Sequence, residues 1–158
     1  MLAPRIESAL NKMIELEKSI SRLYAFYAKR FASHHGLWTT LSREETEHSN
    51  WLSSLAGRAR DGNLRVAADR FKPEAVQMVL NSLAKHLLDA EKGNPSLLNC
   101  LSIAVTLETS LIEKDFFRIF DGDSAEMKST LGKLAAATEN HQMMIKQAWQ
   151  AARSEAGL

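Results

Sequence analysis

The chain has 158 residues, 45% of them apolar and 25% charged, which is the balance of one globular domain spanning 1–158. Its net charge of +1 gives no reason to expect nucleic acid as a partner. The single cysteine, Cys100, excludes an internal disulfide and a multi-cysteine zinc or iron site within these residues.

Glycine and proline are scarce, with seven and three residues, and long stretches contain neither. This favours an all-α fold, because both residues are poor helix formers. The first ten residues lack a basic start followed by an apolar run, and no run of about 18 apolar residues occurs. We therefore expect no signal peptide, no membrane span and a cytoplasmic location. The predicted helices cover about 4–32, 37–58, 73–91, 95–120 and 124–153.

The first predicted helix carries a carboxylate among apolar residues. Its apolar positions recur in steps of three and four, which is the seam of a helix packed in a bundle. Glu17 occupies one of these positions, where a charge is costly unless it is paired or binds a metal. The seam consists of Ile6, Leu10, Met13, Glu17, Ile20, Tyr24, Tyr27 and Phe31.

The second predicted helix repeats this pattern with two polar residues. Glu45 and His48 lie three residues apart, so they share one helix face and can both reach one metal ion. Both stand where the seam calls for leucine. The seam consists of Trp38, Leu41, Glu45, His48, Leu52 and Leu55.

A polar and basic connection from Arg58 to Lys72 follows, and then an amphipathic helix over 73–91 that has no carboxylate on its apolar side. The helix over 95–120 carries Glu108 in its seam, and Asp115 and Arg118 further along. We read the last two as a buried pair or as a polar contact with a second copy of the chain. Helix bundles of this kind often dimerise, so a homodimer is expected.

The final helix completes an internal repeat. His141 lies in its seam, three residues after Thr138. Glu17 then aligns with Glu108, while Glu45 and His48 align with Thr138 and His141. Two such hairpins joined by one long connection predict a left-handed, antiparallel four-helix bundle with an extra helix in the crossover. In one class of such bundles, inward Glu and Glu-x-x-His residues hold two iron or manganese ions.

In these features, over about residues 5–152, the sequence resembles the rubrerythrin-like branch of the ferritin-like diiron proteins. The matching residues are Glu17 with Tyr24 seven residues later, the run Glu44-Glu45-x-x-His48, Glu108 and His141. The resemblance implies that Glu45 bridges two ions, that His48 and His141 bind separate ions, and that Glu17 and Glu108 are terminal ligands. Tyr24 would orient a carboxylate.

The second half departs from the family pattern. Thr138 stands where the family has a Glu that bridges the two metals. Glu139 lies one residue later, about 100° round the helix, and could substitute only if a bulge shifted the helix register. We therefore expect the second ion to be held more weakly than in the family.

Carboxylate and imidazole ligands suit iron or manganese, with zinc as a further option. The resemblance implies oxidation of ferrous ions by peroxide or oxygen. Rubrerythrins normally receive electrons through a four-cysteine rubredoxin domain, so here the electron donor would be a separate protein. The alternative is a degenerate, non-catalytic bundle whose buried polar residues form a metal-free network and which serves as a structural or partner-binding module. A storage shell is a third option, disfavoured because no further helix follows Ala152.

Overall fold

Five α-helices account for most of the residues that the computed structural model describes, which are 2–63, 65–66, 72–110, 120–121 and 125–158. The all-α prediction is therefore confirmed. None of the helices in this part of the chain combines the length and apolar character that a membrane span needs. The helices are α1 (Pro4–Arg30), α2 (His35–Arg60), α3 (Pro73–Lys92), α4 (Leu97–Thr109) and α5 (Ala125–Glu155); a 3-10 turn covers Ala32–His34, and the strands are β1 (Arg65–Val66) and β2 (Phe120–Asp121).

Helices α1 and α2 form an antiparallel hairpin. Arg60, at the end of α2, donates from Nε to Glu7 Oε1 near the start of α1 over 2.7 Å. Midway along the pair, the Ser21 hydroxyl donates to the backbone oxygen of Ser42 over 2.7 Å and lies 2.8 Å from the Thr46 hydroxyl. Small hydroxyl side chains let the two backbones approach closely at this level, just beside Glu45.

The core beside this hairpin is aromatic. The Trp38 ring lies 5.4 Å from Tyr24 and 4.9 Å from Tyr27, measured between ring centroids, and all three side chains are fully buried. Cys100 of α4 is also buried, as expected for a small core residue. Helix α3 packs against α1, where Val76 and Leu83 are buried.

Helices α4 and α5 form a second antiparallel pair. The Trp149 indole donates to the Ser102 hydroxyl over 3.0 Å, and the Gln142 amide donates to the backbone oxygen of Glu108 over 2.5 Å. Residue numbers thus increase along α4 in the direction in which they decrease along α5, so the two helices are antiparallel. The pairing brings Glu108 and His141 to one level of the fold.

The fourth predicted helix was wrong in its length. Helix α4 ends at Thr109, and Ser110 adopts an extended backbone with φ −60° and ψ 134°. The Ser110 hydroxyl donates to the Leu107 carbonyl over 2.7 Å, and such local side-chain bonds compete with helical ones. Phe120 and Asp121, at the predicted helix end, instead pair antiparallel with Val66 and Arg65.

Residues 111–119, which include Asp115 and Arg118, lie outside the described part of the chain. The contact predicted for that pair therefore also lies outside it. The remaining helix boundaries agree with the predicted ones to within two residues. The apolar periodicity of the sequence was therefore sufficient to locate them.

Candidate metal centre

Three buried residues from two helices offer metal-binding atoms to one point. Glu45 and His48 of α2 and His141 of α5 each present one ligand atom, and these atoms lie within 4.8 Å of one another. The three side chains are between 0% and 2% exposed. This group could hold a metal ion.

The Glu45 carboxylate lies close to both imidazoles. Its Oε1 is 2.9 Å from Nδ1 of His141, and its Oε2 is 3.3 Å from Nδ1 of His48. The two rings stack with centroids 5.1 Å apart and planes 24° apart. Each oxygen of one carboxylate therefore faces the same type of nitrogen on a different histidine.

The second nitrogen of His141 contacts Glu44, which was not among the predicted ligands. His141 Nε2 lies 2.5 Å from Oε2 of Glu44, whose side chain is 28% exposed. Glu44 flanks the α2 seam, one residue before Glu45. The seam pattern marks inward positions only, so it could not show that Glu44 reaches across to α5.

Glu108 of α4 joins the group through its side chain and through Tyr24. The Tyr24 hydroxyl donates to Glu108 Oε1 over 2.8 Å, which is the type of contact expected of a tyrosine that orients a carboxylate. Among the described residues, Glu108 Oε2 has no hydrogen-bond partner, and it lies 3.8 Å from His141 Nδ1. A buried carboxylate oxygen in this position is suited to accept a cation.

Glu17 is fully buried on α1, although it is not part of the three-residue group within 4.8 Å. Ser21 contacts Thr46 across the antiparallel hairpin. Since Glu17 lies one turn before Ser21, it falls at the level of the α2 turn after Thr46, which carries His48. The helix arrangement thus places Glu17 at the height of the centre.

Thr138 and Glu139 differ in where they point. Thr138 is buried, and its hydroxyl donates to the Leu134 carbonyl over 3.1 Å, one turn earlier on α5. Glu139 is exposed, and α5 is an uninterrupted α-helix at this point, without the bulge that would turn Glu139 inward. The structure therefore does not bring Glu139 to the centre in place of the missing Glu.

The two histidines have opposite pKa shifts. Burial, together with the charge of His141, lowers the pKa of His48 to about 4. Burial also lowers the pKa of His141, but the neighbouring carboxylates of Glu108 and Glu44 outweigh it and raise that pKa to about 9. These opposite shifts favour a protonated His141 and a neutral His48 in the metal-free protein at neutral pH.

The donor set fits a divalent cation. Carboxylate oxygens and imidazole nitrogens suit iron, manganese and zinc. The imidazolium of His141 is one cation facing the buried carboxylates Glu45 and Glu108, and an ion bound here would replace its proton as their counter-charge. No protein-family model, no curated protein and no solved structure matches the chain. The interpretation of the centre therefore depends on these residues and their geometry.

Proposed function

We propose that the protein is a rubrerythrin-like diiron protein that couples oxidation of ferrous ions to reduction of peroxide or oxygen. The observation that carries the proposal is the position of Glu45, whose two oxygens face Nδ1 of His48 and Nδ1 of His141. A carboxylate whose two oxygens each lie close to a nitrogen of a different histidine would be placed to bridge two ions, each bound to one histidine.

The helix arrangement supports the bundle that this proposal requires. Two antiparallel pairs, α1 with α2 and α4 with α5, supply Glu17, Glu45, Glu108 and His141 respectively to one level. Tyr24 of α1 bonds to Glu108 of α4, and Glu45 of α2 bonds to His141 of α5, so each pair contacts the other at that level. Helix α3 lies in the connection between them, as an extra crossover helix would.

In this proposal the residues have distinct roles. Glu45 would bridge the two ions, His48 and His141 would each bind one ion, and Glu17 and Glu108 would be terminal ligands. Tyr24 holds the Glu108 carboxylate by its hydroxyl. Bound ferrous ions would supply the electrons for the reduction of peroxide or oxygen, and a separate donor protein would return electrons to the centre.

The second candidate function is a non-catalytic bundle that acts as a structural or partner-binding module. Both nitrogens of His141 already contact carboxylates, Glu45 on one side and Glu44 on the other. Thr138 also satisfies its hydroxyl within its own helix. A network of this kind is stable without metal when its charges are balanced, so these contacts favour the second candidate.

Iron content separates the two candidates. The protein is loaded anaerobically with ferrous iron and desalted, and iron per chain is measured by elemental analysis. About two irons per chain supports the diiron proposal, and peroxide-dependent oxidation of the bound iron is then the next assay. About one iron supports a half-site without two-ion chemistry. No iron excludes the oxidoreductase and leaves the non-catalytic module.

The proposal includes a homodimer, which light scattering of the purified protein can measure directly. A mass of two chains supports this part of the proposal and a mass of one contradicts it. The result is independent of the metal content, so each part can fail separately.

A further inference from the structure

We propose that Glu44 is a positioning residue that holds His141 by its Nε2 and so presents Nδ1 to the metal. This inference rests on the proposed function only in requiring that an ion binds at Glu45, His48 and His141. It assigns a role to a carboxylate that lies beside the ligand set rather than within it.

The two nitrogens of the His141 ring contact different carboxylates. Nδ1 faces the buried carboxylates, 2.9 Å from Glu45 Oε1 and 3.8 Å from Glu108 Oε2. Nε2 lies on the other edge of the ring and faces Glu44 at 2.5 Å. Since Glu45 also lies 3.3 Å from Nδ1 of His48, an ion held by all three residues would lie on the Nδ1 side of His141. The hydrogen on Nε2 then remains available for Glu44.

Glu44 differs from the buried carboxylates in its exposure. Its side chain is 28% exposed, whereas Glu45 and Glu108 are 0% and 1% exposed. Water reaches the Glu44 side chain, so its contact with His141 Nε2 does not depend on a bound ion to satisfy the carboxylate. Glu44 therefore does not need the ion for its own stability and remains free to orient the histidine.

Glu44 and Glu45 are consecutive on α2, so their side chains leave the helix about 100° apart. The His141 ring of α5 fits between them, with one nitrogen on each carboxylate. These two contacts, one on each edge of the ring, constrain the orientation of the His141 imidazole. A histidine ligand whose second nitrogen is held by a carboxylate is better oriented and a stronger base toward metal.

The position of this contact has a particular consequence here. Thr138 stands one turn before His141 on α5, where the resembled family has a bridging Glu, so the centre has one carboxylate fewer than in that family. Support from Glu44 strengthens the histidine that remains. His48, in contrast, packs its ring between His141 and Trp51, whose centroids lie 5.1 and 5.8 Å away.

Metal affinity of matched variants tests the proposal. Glu44→Ala removes the acceptor, Glu44→Gln keeps an amide oxygen that can accept the Nε2 hydrogen, and Glu47→Ala removes an exposed carboxylate from the same helix. Each full-length variant is titrated with cobalt(II) against a competing chelator. Loss of such a supporting carboxylate typically weakens metal binding by about 10–100-fold. We expect that loss in Glu44→Ala, a smaller loss in Glu44→Gln and none in Glu47→Ala.

A second measurement reports which nitrogen binds. Histidine is labelled with ¹⁵N, and the zinc-loaded protein is examined by NMR. We expect His141 to bind through Nδ1 and to keep a slowly exchanging hydrogen on Nε2, which exchanges faster in Glu44→Ala. Should Glu44→Ala fail to fold, Glu44→Gln is compared with the wild type, and faster exchange with weaker cobalt binding is the expected result.

Three results would overturn the inference. Equal cobalt affinity in Glu44→Ala and Glu47→Ala would show that Glu44 does not support the site; if only Glu44→Gln folds, wild-type affinity and exchange in that variant would show the same. Zinc bound through Nε2 would show that the ion takes the place of the Glu44 contact. A wild-type protein that binds neither cobalt, zinc nor iron would contradict the proposed function itself. In the first two cases the wild type still binds metal, so the two failures are distinguishable.

Discussion

Glu45 Oε1 lies 2.9 Å from Nδ1 of His141, which joins the second helix to the last at a point where both side chains are fully buried. The two residues are 96 positions apart in the chain. Their contact completes the group that could hold a metal, because His48 is already one turn from Glu45 on the same helix. The predictions below test what this contact and its neighbours contribute.

Replacing Glu45 with alanine is expected to abolish metal binding. Among the described residues, Glu45 is the only carboxylate that contacts both histidines. The variant therefore leaves His48 and His141 without the carboxylate ligand that they share. Iron per chain after anaerobic loading measures the effect. The matched control is Glu47→Ala, which removes an exposed carboxylate two residues away. Equal iron in the two variants would contradict the assigned centre.

Metal affinity is expected to rise with pH up to about 9. The pKa of His141 is raised to about 9, so below that pH the metal-free ring carries a proton that an incoming ion must displace. Release of one proton per ion gives about a tenfold gain in affinity per pH unit. The pKa of His48, lowered to about 4, adds no proton above pH 5.

Manganese(II) affinity at pH 6, 7 and 8, followed by electron paramagnetic resonance, measures this slope. The same titration of Glu44→Ala is a useful control, since Glu44 is one of the groups that raise the pKa of His141. Its affinity should change less steeply over the upper part of this range. A wild-type affinity that does not depend on pH would mean that His141 is neutral in the metal-free protein.

Removing the Tyr24 hydroxyl is expected to destabilise the protein even without metal. Tyr24→Phe deletes the donor to Glu108 Oε1, and Glu108 Oε2 already has no hydrogen-bond partner in the described part of the chain. Leaving a buried polar group unsatisfied costs about 1–3 kcal/mol of the free energy of unfolding. Urea denaturation of the metal-free protein measures it.

Tyr27→Phe is the comparison for that experiment. Tyr27 is equally buried, but the group that its hydroxyl interacts with is the Cys100 thiol, a weaker partner than a carboxylate. We expect a smaller loss of stability from Tyr27→Phe than from Tyr24→Phe. The reverse order would show that the Tyr24–Glu108 contact contributes little to the metal-free fold.

Periodicity alone was enough to find the inward residues of the centre. Each of these polar residues occupies a position in the three–four spacing that defines the packed face of its helix, and each is buried. The residues are Glu17, Glu45, His48, Glu108 and His141. The same reasoning failed at Ser110. There, local hydroxyl bonds end α4, and the pairing of residues 120–121 with 65–66 has no signature within either short segment.

The contact of Glu44 with His141 could not be predicted from the sequence pattern, for a different reason. Whether a flanking residue of α2 contacts α5 depends on the rotation of both helices about their axes, which periodicity does not determine. Glu139 shows the same limit in the opposite direction. Its inward position required a bulge in α5, and only the structure reveals that the helix continues regularly through this position.

Restoring a carboxylate at Thr138 is expected to raise occupancy of the second ion. Thr138 is buried and one turn before His141, and its hydroxyl is bonded within α5, so it offers little to a metal. Thr138→Glu places a carboxylate on the buried face of α5, whereas Glu139 lies on the exposed face. Iron per chain should approach two, and peroxide-dependent oxidation of the bound iron should become faster.

The same substitution should destabilise the metal-free protein, because it adds a further buried carboxylate beside Glu45 and Glu108. Bound metal should reverse that loss, so the thermal midpoint of Thr138→Glu should rise more on adding ferrous iron anaerobically than that of the wild type. Thr138→Gln, similar in size but uncharged, controls for the added volume. An equal metal-induced shift in the glutamate and glutamine variants would mean that Thr138 does not face the second ion.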